Sequence, residues 1–173
     1  DVIEDETVNG VTLTGSERAG SSVASIAGKN IKKTVLELGG SNAFIVLEDA
    51  DLDRAVEVGV QARMMNTGQS CIAAKRFILH EAIYDTFVER FIEGIKARKT
   101  GDPMKNDTEV GPLAREDLAA TLHAQVHESI EQGASLLLGG DRDKAYHQPT
   151  VLEDVEPGMR VFDEETFGPV ASM

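Results

Sequence analysis

The sequence predicts an α/β fold with a largely parallel sheet and flanking helices. Short runs rich in β-branched and large apolar residues, such as Ala43 to Leu47, Phe77-Ile78-Leu79 and Leu136-Leu137-Leu138, alternate with longer segments. In those longer segments the apolar residues recur every three or four positions, the spacing of one helix face. At 173 residues, with 41% hydrophobic and 27% charged side chains, the chain has the size and balance of a globular domain with a proper core. Strands alternating with helices give parallel strands joined by crossovers.

Residues 1–36 read as half of a nucleotide-binding unit, with a second domain from 37 to 173. Val8 to Leu13 is a short strand and Thr14-Gly15-Ser16 a turn. Arg18 to Ala27 follows as a helix with Ala19, Val23, Ile26 and Ala27 on one face, closed by Gly28 as its C-cap. Lys33 to Glu37 returns as a strand. The spacing of Gly15 and Gly20 lacks the three-glycine dinucleotide fingerprint, so alone it marks only a turn. In the second domain, a strand at Ala43 to Leu47 precedes a helix that Asp49 or Asp51 can cap. Leu52, Val56, Gly59, Val60 and Met64 form its inner stripe. After the strand at Phe77, Ile83, Phe87, Phe91 and Ile95 mark one amphipathic helix; Leu118, Leu122, Val126 and Ile130 mark another, ended by Gly133. Gly101-Asp102-Pro103 is a turn, Gln148 to Leu152 is extended, and Glu153 to Gly158 is acidic loop.

Two stretches carry chemistry. Gly68-Gln69-Ser70-Cys71 holds the only cysteine, in a polar loop, and Ile72-Ala73-Ala74 can open a helix behind it. A thiol at a helix N-terminus faces amide N–H groups that favour its thiolate, the form a nucleophile needs. Val35-Leu36-Glu37-Leu38-Gly39-Gly40 ends an apolar run with a carboxylate and two glycines. Burial at a strand end suits Glu37 to act as a general base near neutral pH, and the glycines let it swing. Chain doubling could bring Glu37 and Cys71 to one end of a sheet. His123 and His127 sit four residues apart, a metal-ligand spacing. The Glu of a His-Glu-x-x-His motif is missing there, so a solvated helix face is expected and no metal. No histidine lies in a motif that would pair it with Cys71 as in a protease.

A net charge of −13 argues against nucleic-acid or anionic-membrane surfaces as partners. One cysteine excludes an internal disulfide and fits a reducing, cytoplasmic setting. No apolar run is long enough to span a bilayer, and the first six residues are unlike a signal peptide.

Glu37-Leu38-Gly39-Gly40 followed by Gly68-Gln69-Ser70-Cys71 resembles the paired signature of the aldehyde dehydrogenase superfamily. Thr14-Gly15-Ser16 with Gly20, Gly111-Pro112-Leu113, and Glu164-Glu165-Thr166-Phe167-Gly168-Pro169-Val170 agree, in the family's order. The resemblance implies NAD(P)-dependent oxidation of a small aldehyde to its acid, with NAD or NADP as cofactor. It implies a Cys71 thiohemiacetal and thioester, an oxyanion held by the Cys71 N–H and a family Asn, and hydrolysis activated by Glu37. Gly15, Ser16 and Gly20 are implied to line the dinucleotide site. Glu165 would hold the nicotinamide ribose and Phe167 pack on the nicotinamide, with Glu164 facing solvent.

The finer match is to the succinate-semialdehyde dehydrogenase branch, which makes succinic semialdehyde the expected substrate. Leu13 stands where many relatives have Phe. Gly39-Gly40-Ser41-Asn42 replaces the usual Gly-Gly-Lys, and Ala73 removes the second cysteine that gives some members a redox switch. The resemblance also implies a longer protein, a homodimer or homotetramer, with the oxyanion Asn before Asp1 and an oligomerisation strand after Met173. Little or no turnover is expected of these 173 residues alone. The alternative is a stand-alone, non-catalytic remnant that binds a subunit or another partner.

Overall fold

A computed structural model describes residues 2–173. The chain forms two compact units that divide between Gly40 and Ser41, four residues beyond the boundary expected from sequence. The reason is pairing: the strand ending at Glu37 is hydrogen-bonded along its length to the first strand, so Glu37 belongs to the first unit.

In the first unit, β1 (Gly10–Thr14) and β2 (Lys33–Glu37) are parallel, in register from Gly10↔Lys33 to Thr14↔Glu37. Helix α1 (Glu17–Lys29) makes the crossover. Ser16 caps it, its Oγ accepting from the Ala19 N–H at 3.3 Å. The helix does not stop at Gly28, contrary to expectation. Asn30 ends it, with its N–H donating to the Ala27 and Gly28 carbonyls and its side chain to Ile26 O at 2.9 Å. That side chain satisfies a terminal carbonyl, and Ile31 takes the left-handed turn at φ 55°.

The second unit is a five-stranded sheet in the order β3 (Asn42–Val46), β4 (Ala74–Leu79), β9 (Val170–Ser172), β8 (Thr150–Glu153), β5 (Ser135–Leu138). The first four are parallel and β5 is antiparallel. Helices α2 (Leu52–Met64) and α3 (Tyr84–Lys96) cover one face, and α4 (Glu116–Glu131) with α5 (Arg160–Asp163) the other. Asp51 is the N-cap of α2, accepting from Arg54 N at 3.1 Å. The strand period of two divides the core. Val151 and Ala171 join Phe77, Phe87 and Phe91 under α2 and α3, while Leu152 and Val170 join Leu122, Val126 and Val161 under α4 and α5. Phe91 lies 4.8 Å from Phe77 and 5.5 Å from Phe87, ring centroid to centroid.

A small hairpin of β6 (Arg142–Asp143) and β7 (Tyr146–His147) packs on α4. It brings His147 to 5.8 Å from His123, whose ring is 4.1 Å from that of His127. His147 is fully buried and its Nε2 has no hydrogen-bond partner. Among the described residues no group of side chains could hold a metal ion, and no helix is long and apolar enough to cross a membrane.

Burial pushes the His147 and His123 imidazoles below the ordinary value of 6.5, and for His123 the neighbouring His127 adds to the effect. The folded state thus binds these protons less readily than the unfolded chain does. Stability is full above about 6.5 and falls as the pH drops below it. Thermal melts between pH 5 and 8 should show this loss, and His147→Gln should flatten it.

Candidate active site

The second unit gathers its chemical groups at the amino-terminal ends of three parallel strands. Asn42 opens β3, Cys71 lies just before β4, and Glu165 and Phe167 lie just before β9. The segment after Cys71 is therefore a strand and not the helix expected from Ile72-Ala73-Ala74. Ala74 and Arg76 to Leu79 pair into the sheet, and that tertiary pairing overrides the local helical preference. Cys71 is exposed, and no helix dipole acts on it through those residues.

The loop gains its shape from a left-handed turn. Asn66, Thr67 and Gly68 take φ of 53°, 57° and 71° in succession. Non-glycine residues rarely hold such angles unless tertiary contacts hold them there. Here Thr67 Oγ1 accepts from Gly111 N at 3.1 Å and Gln69 Oε1 from Ala114 N at 2.9 Å. Gly111-Pro112-Leu113, to which the sequence alone assigns no role, thus anchors the Cys71 loop. A Cβ on Gly68 would lie 2.2 Å from Gly168 O, so the loop and the Phe167-Gly168 segment touch backbone to backbone. The Asn42 side chain donates to Cys71 O at 2.9 Å, and Arg76 Nε to Ser41 O at 3.0 Å.

Two cations that sequence reasoning passed over lie beneath this loop. Arg63 and Lys75 have no exposure to solvent. Arg63 donates to Gly68 O at 2.7 Å, and its Nε and Nη1 have no partner. Lys75 Nζ donates to Ser70 O at 3.2 Å and Cys71 O at 3.1 Å. It also lies 3.4 Å from Glu165 Oε1, an ion pair without the alignment of a hydrogen bond, since that oxygen has no hydrogen-bond partner. Burial lowers both cations, Arg63 to about 10, with Glu165 opposing the shift; the Arg63 guanidinium stays charged at neutral pH. Arg63 was visible in principle, because a charge three and four residues after Val60 and Gly59 sits on the buried stripe of α2.

Glu165 is placed by its neighbour. Gln125 Nε2 donates to Glu164 Oε2 at 2.9 Å and to Glu165 O at 3.2 Å. Arg160 grips Glu164 through two bonds of 2.9 Å and holds its carboxyl below the usual range. Glu164, expected to face solvent, is exposed yet serves as an anchor. Phe167 leaves 37% of its surface exposed.

In the first unit, Gly15 and Ser16 are exposed at the start of α1, and Gly15 N donates to Glu37 O at 2.9 Å. The Ser16 hydroxyl is engaged in capping. Gly20 is buried inside the helix, where a Cβ would meet Leu38 Cδ2 at 2.6 Å, so helix–strand packing accounts for this glycine. Glu37 is exposed, as is most of β2, so the burial expected of it is absent. It ends a strand of one unit and Cys71 precedes a strand of the other, in place of the single sheet edge expected.

An exposed thiol on a braced loop at the amino-terminal end of a mostly parallel, two-faced sheet, backed by buried cations and a carboxylate, suits covalent catalysis on an electrophile. The chain matches the Aldehyde dehydrogenase family over residues 1–173, and it belongs to that family. It is 54% identical over 175 aligned positions to a succinate-semialdehyde dehydrogenase [NADP(+)] of Mycobacterium avium (strain 104), covering 99% of this chain and 37% of that protein. It is 51% identical to the succinate semialdehyde dehydrogenase [NAD(P)+] Sad of Escherichia coli (strain K12), covering 99% of this chain and 38% of that one. A succinic semialdehyde dehydrogenase from Streptococcus pyogenes, solved in complex with NADP+, superposes with a TM-score of 0.94 at 41% identity, over 99% of this chain and 38% of the other. The chain thus spans under two-fifths of the length of these relatives.

The left-handed φ of Gly68 and its contact with Gly168 O make Gly68→Ala costly, about 2 kcal/mol or more by urea unfolding. Gly28→Ala, in α1 with open space around it, should instead stabilise by about 0.5–1 kcal/mol in the same assay.

Proposed function

We propose that this chain carries the thiol nucleophile and cofactor contacts of an NAD(P)-dependent dehydrogenase that oxidises succinic semialdehyde to the acid. The observation that supports it most is the bracing of the exposed Cys71 by the same segments, Gly111 to Ala114 and Glu165 to Gly168, that carry the family's other motifs. The naming of the relatives supports the substrate class and the cofactor.

The residues present fit a dinucleotide. Glu165 Oε1 is a buried oxygen without a hydrogen-bond partner, able to accept from a ribose hydroxyl. Phe167, in the same unit, offers a partly exposed ring. The first unit, by itself, presents the N-terminus of the thirteen-residue α1 beside exposed Gly15, a setting suited to a phosphate. The nicotinamide, when bound, supplies the two-electron hydride acceptor for the reaction.

The Cys71 thiolate adds to the aldehyde carbon, and the carbonyl π electrons move to oxygen, where the Cys71 N–H stabilises the charge. Lys75 holds the Ser70 carbonyl, which shares its peptide with the Cys71 N–H, and Asn42 and Lys75 hold the Cys71 carbonyl of the next peptide. Oxidation of the thiohemiacetal leaves a thioester on Cys71. Glu37 then takes a proton from water as the oxygen attacks the thioester, and the acid leaves as the thiolate is restored. The carboxylate of Glu37, ahead of Gly39-Gly40, is exposed to water.

In the full chain, Cys71→Ala should abolish formation of reduced cofactor from succinic semialdehyde. Glu37→Gln should leave a burst of about one equivalent per site and slow turnover by about a hundredfold, because general-base catalysis is lost while acylation is kept. Rapid-mixing absorbance at the reduced-nicotinamide band reads both. Full turnover by Cys71→Ala would overturn the assignment.

A further inference from the structure

Three histidines outside the proposed chemistry meet on α4. His123 and His127 belong to that helix, and His147 to β7 of the hairpin packed against it. The His123 ring centroid lies 4.1 Å from that of His127 and 5.8 Å from that of His147. His147 has no exposure to solvent, and its Nδ1 lies 2.9 Å from Gln148 O. A carbonyl only accepts, so Nδ1 carries the proton and Nε2 holds a bare lone pair. Among the described residues neither that Nε2 nor the buried Nδ1 of His123 has a hydrogen-bond partner. A proton taken up at His147 Nε2 would therefore place a cation where no acceptor answers it. The charges around it are of the wrong sign. His123 and His127 on α4 and Arg142 on β6 all oppose it, while Asp141 favours charge on His123 and Glu116 lies 3.8 Å from Arg142.

The same hairpin holds a second segment. At its turn, Ala145 O accepts from Leu113 N at 2.8 Å, and Leu113 shares a core cluster with Leu122 and Val126 of α4. Gly111 and Ala114, on either side, donate to Thr67 and Gln69 of the Cys71 loop. A line of backbone and hydrogen bonds thus runs from His147 through Ala145 and Leu113 to that loop. We infer that the β6–β7 hairpin is an acid-released strap: protonation of His147 beside His123 undocks it from α4 and frees the segment 111–114 that braces the Cys71 loop. The inference goes beyond the catalytic reading and does not rest on it. Burial supplies the sign. The docked hairpin holds His147 and His123 below the ordinary imidazole value of 6.5, whereas undocking lets water reach both rings. Docking is therefore complete above about 6.5 and weakens as the pH falls below it.

Hydrogen exchange read by mass spectrometry tests this in the full chain, with protection corrected for the chemical exchange rate at each pH. Peptides covering 111–114 and 141–148 should open together, and more readily than α3. Their opening should become about tenfold easier from about pH 7.5 to about 5.5 for each proton taken up. His147→Gln, which keeps a polar side chain but cannot take a proton, should lose about tenfold of that change in both segments. Circular dichroism establishes that the variant is folded; should it fail to fold, His123→Gln, at a half-buried position, replaces it with the same expectation. Loss of protection in 141–148 while 111–114 keeps its own overturns the inference, because the hairpin then straps nothing. So does opening of both segments only as readily as α3, which is global unfolding. Retention of the parent's whole dependence on pH by the folded variant overturns it as well.

Discussion

The Lys75 ammonium is the interaction around which the second unit's site is arranged. Withdrawn from water, it must be surrounded by oxygen, and the nearest oxygens belong to the loop before β4 and the segment before β9. Removing one partner from such a buried pair costs about 3–5 kcal/mol, far more than an exposed ion pair is worth. The exposed pairs elsewhere, Arg54 with Glu57 or Arg115 with Asp117, have no comparable hold on the fold. Turning the Ser70 and Cys71 carbonyls inward onto the ammonium leaves the thiol side chain outside, on a loop whose backbone has nowhere else to go.

The left-handed turn is maintained in a similar way. Three consecutive residues at positive φ are unfavourable in isolation; Asn66 is held by Gln69 within the loop, and Thr67 and Gly68 by segments distant in sequence. Thr67 and Gln69 reach the segment from Gly111 to Ala114, Arg63 reaches Gly68 O from inside α2, and Gly168 presses against Gly68. Strain at the Cys71 loop is thus balanced by hydrogen bonds from α2 and from the segment between Gly111 and Ala114, and by the packing of Gly168. The two-faced core beneath supplies the rigidity: β8 and β9 send successive side chains to opposite faces, and each face carries its own pair of helices. A loop at the edge of such a sheet inherits the positions of the strands it joins.

Much of the fold was legible in the chain because burial and periodicity are local signals. The stripes Phe87, Phe91, Ile95 and Leu122, Val126 emerged as buried helix faces, and Asp51 as a cap. Cys71 and Glu165 stand out in the sequence through their neighbours in the motifs. The errors cluster where a tertiary contact outweighs a local preference. Ile72-Ala73-Ala74 looked helical until β4 paired with β3, and Gly28 looked like a terminus until Asn30 satisfied the helix end two residues later.

By itself the sequence determined the alternation of strand and helix, the identity of the single thiol and the family to which the chain belongs, because residue order and hydrophobic spacing carry those directly. Only the tertiary structure decided that Glu37 is exposed in a unit of its own, that Gly20 packs against Leu38, and that Arg63 and Lys75 lie dry beneath the Cys71 loop. The reason is that burial of a charge depends on which distant oxygens come to meet it. That meeting is set by sheet order and packing, and no short stretch of sequence contains it.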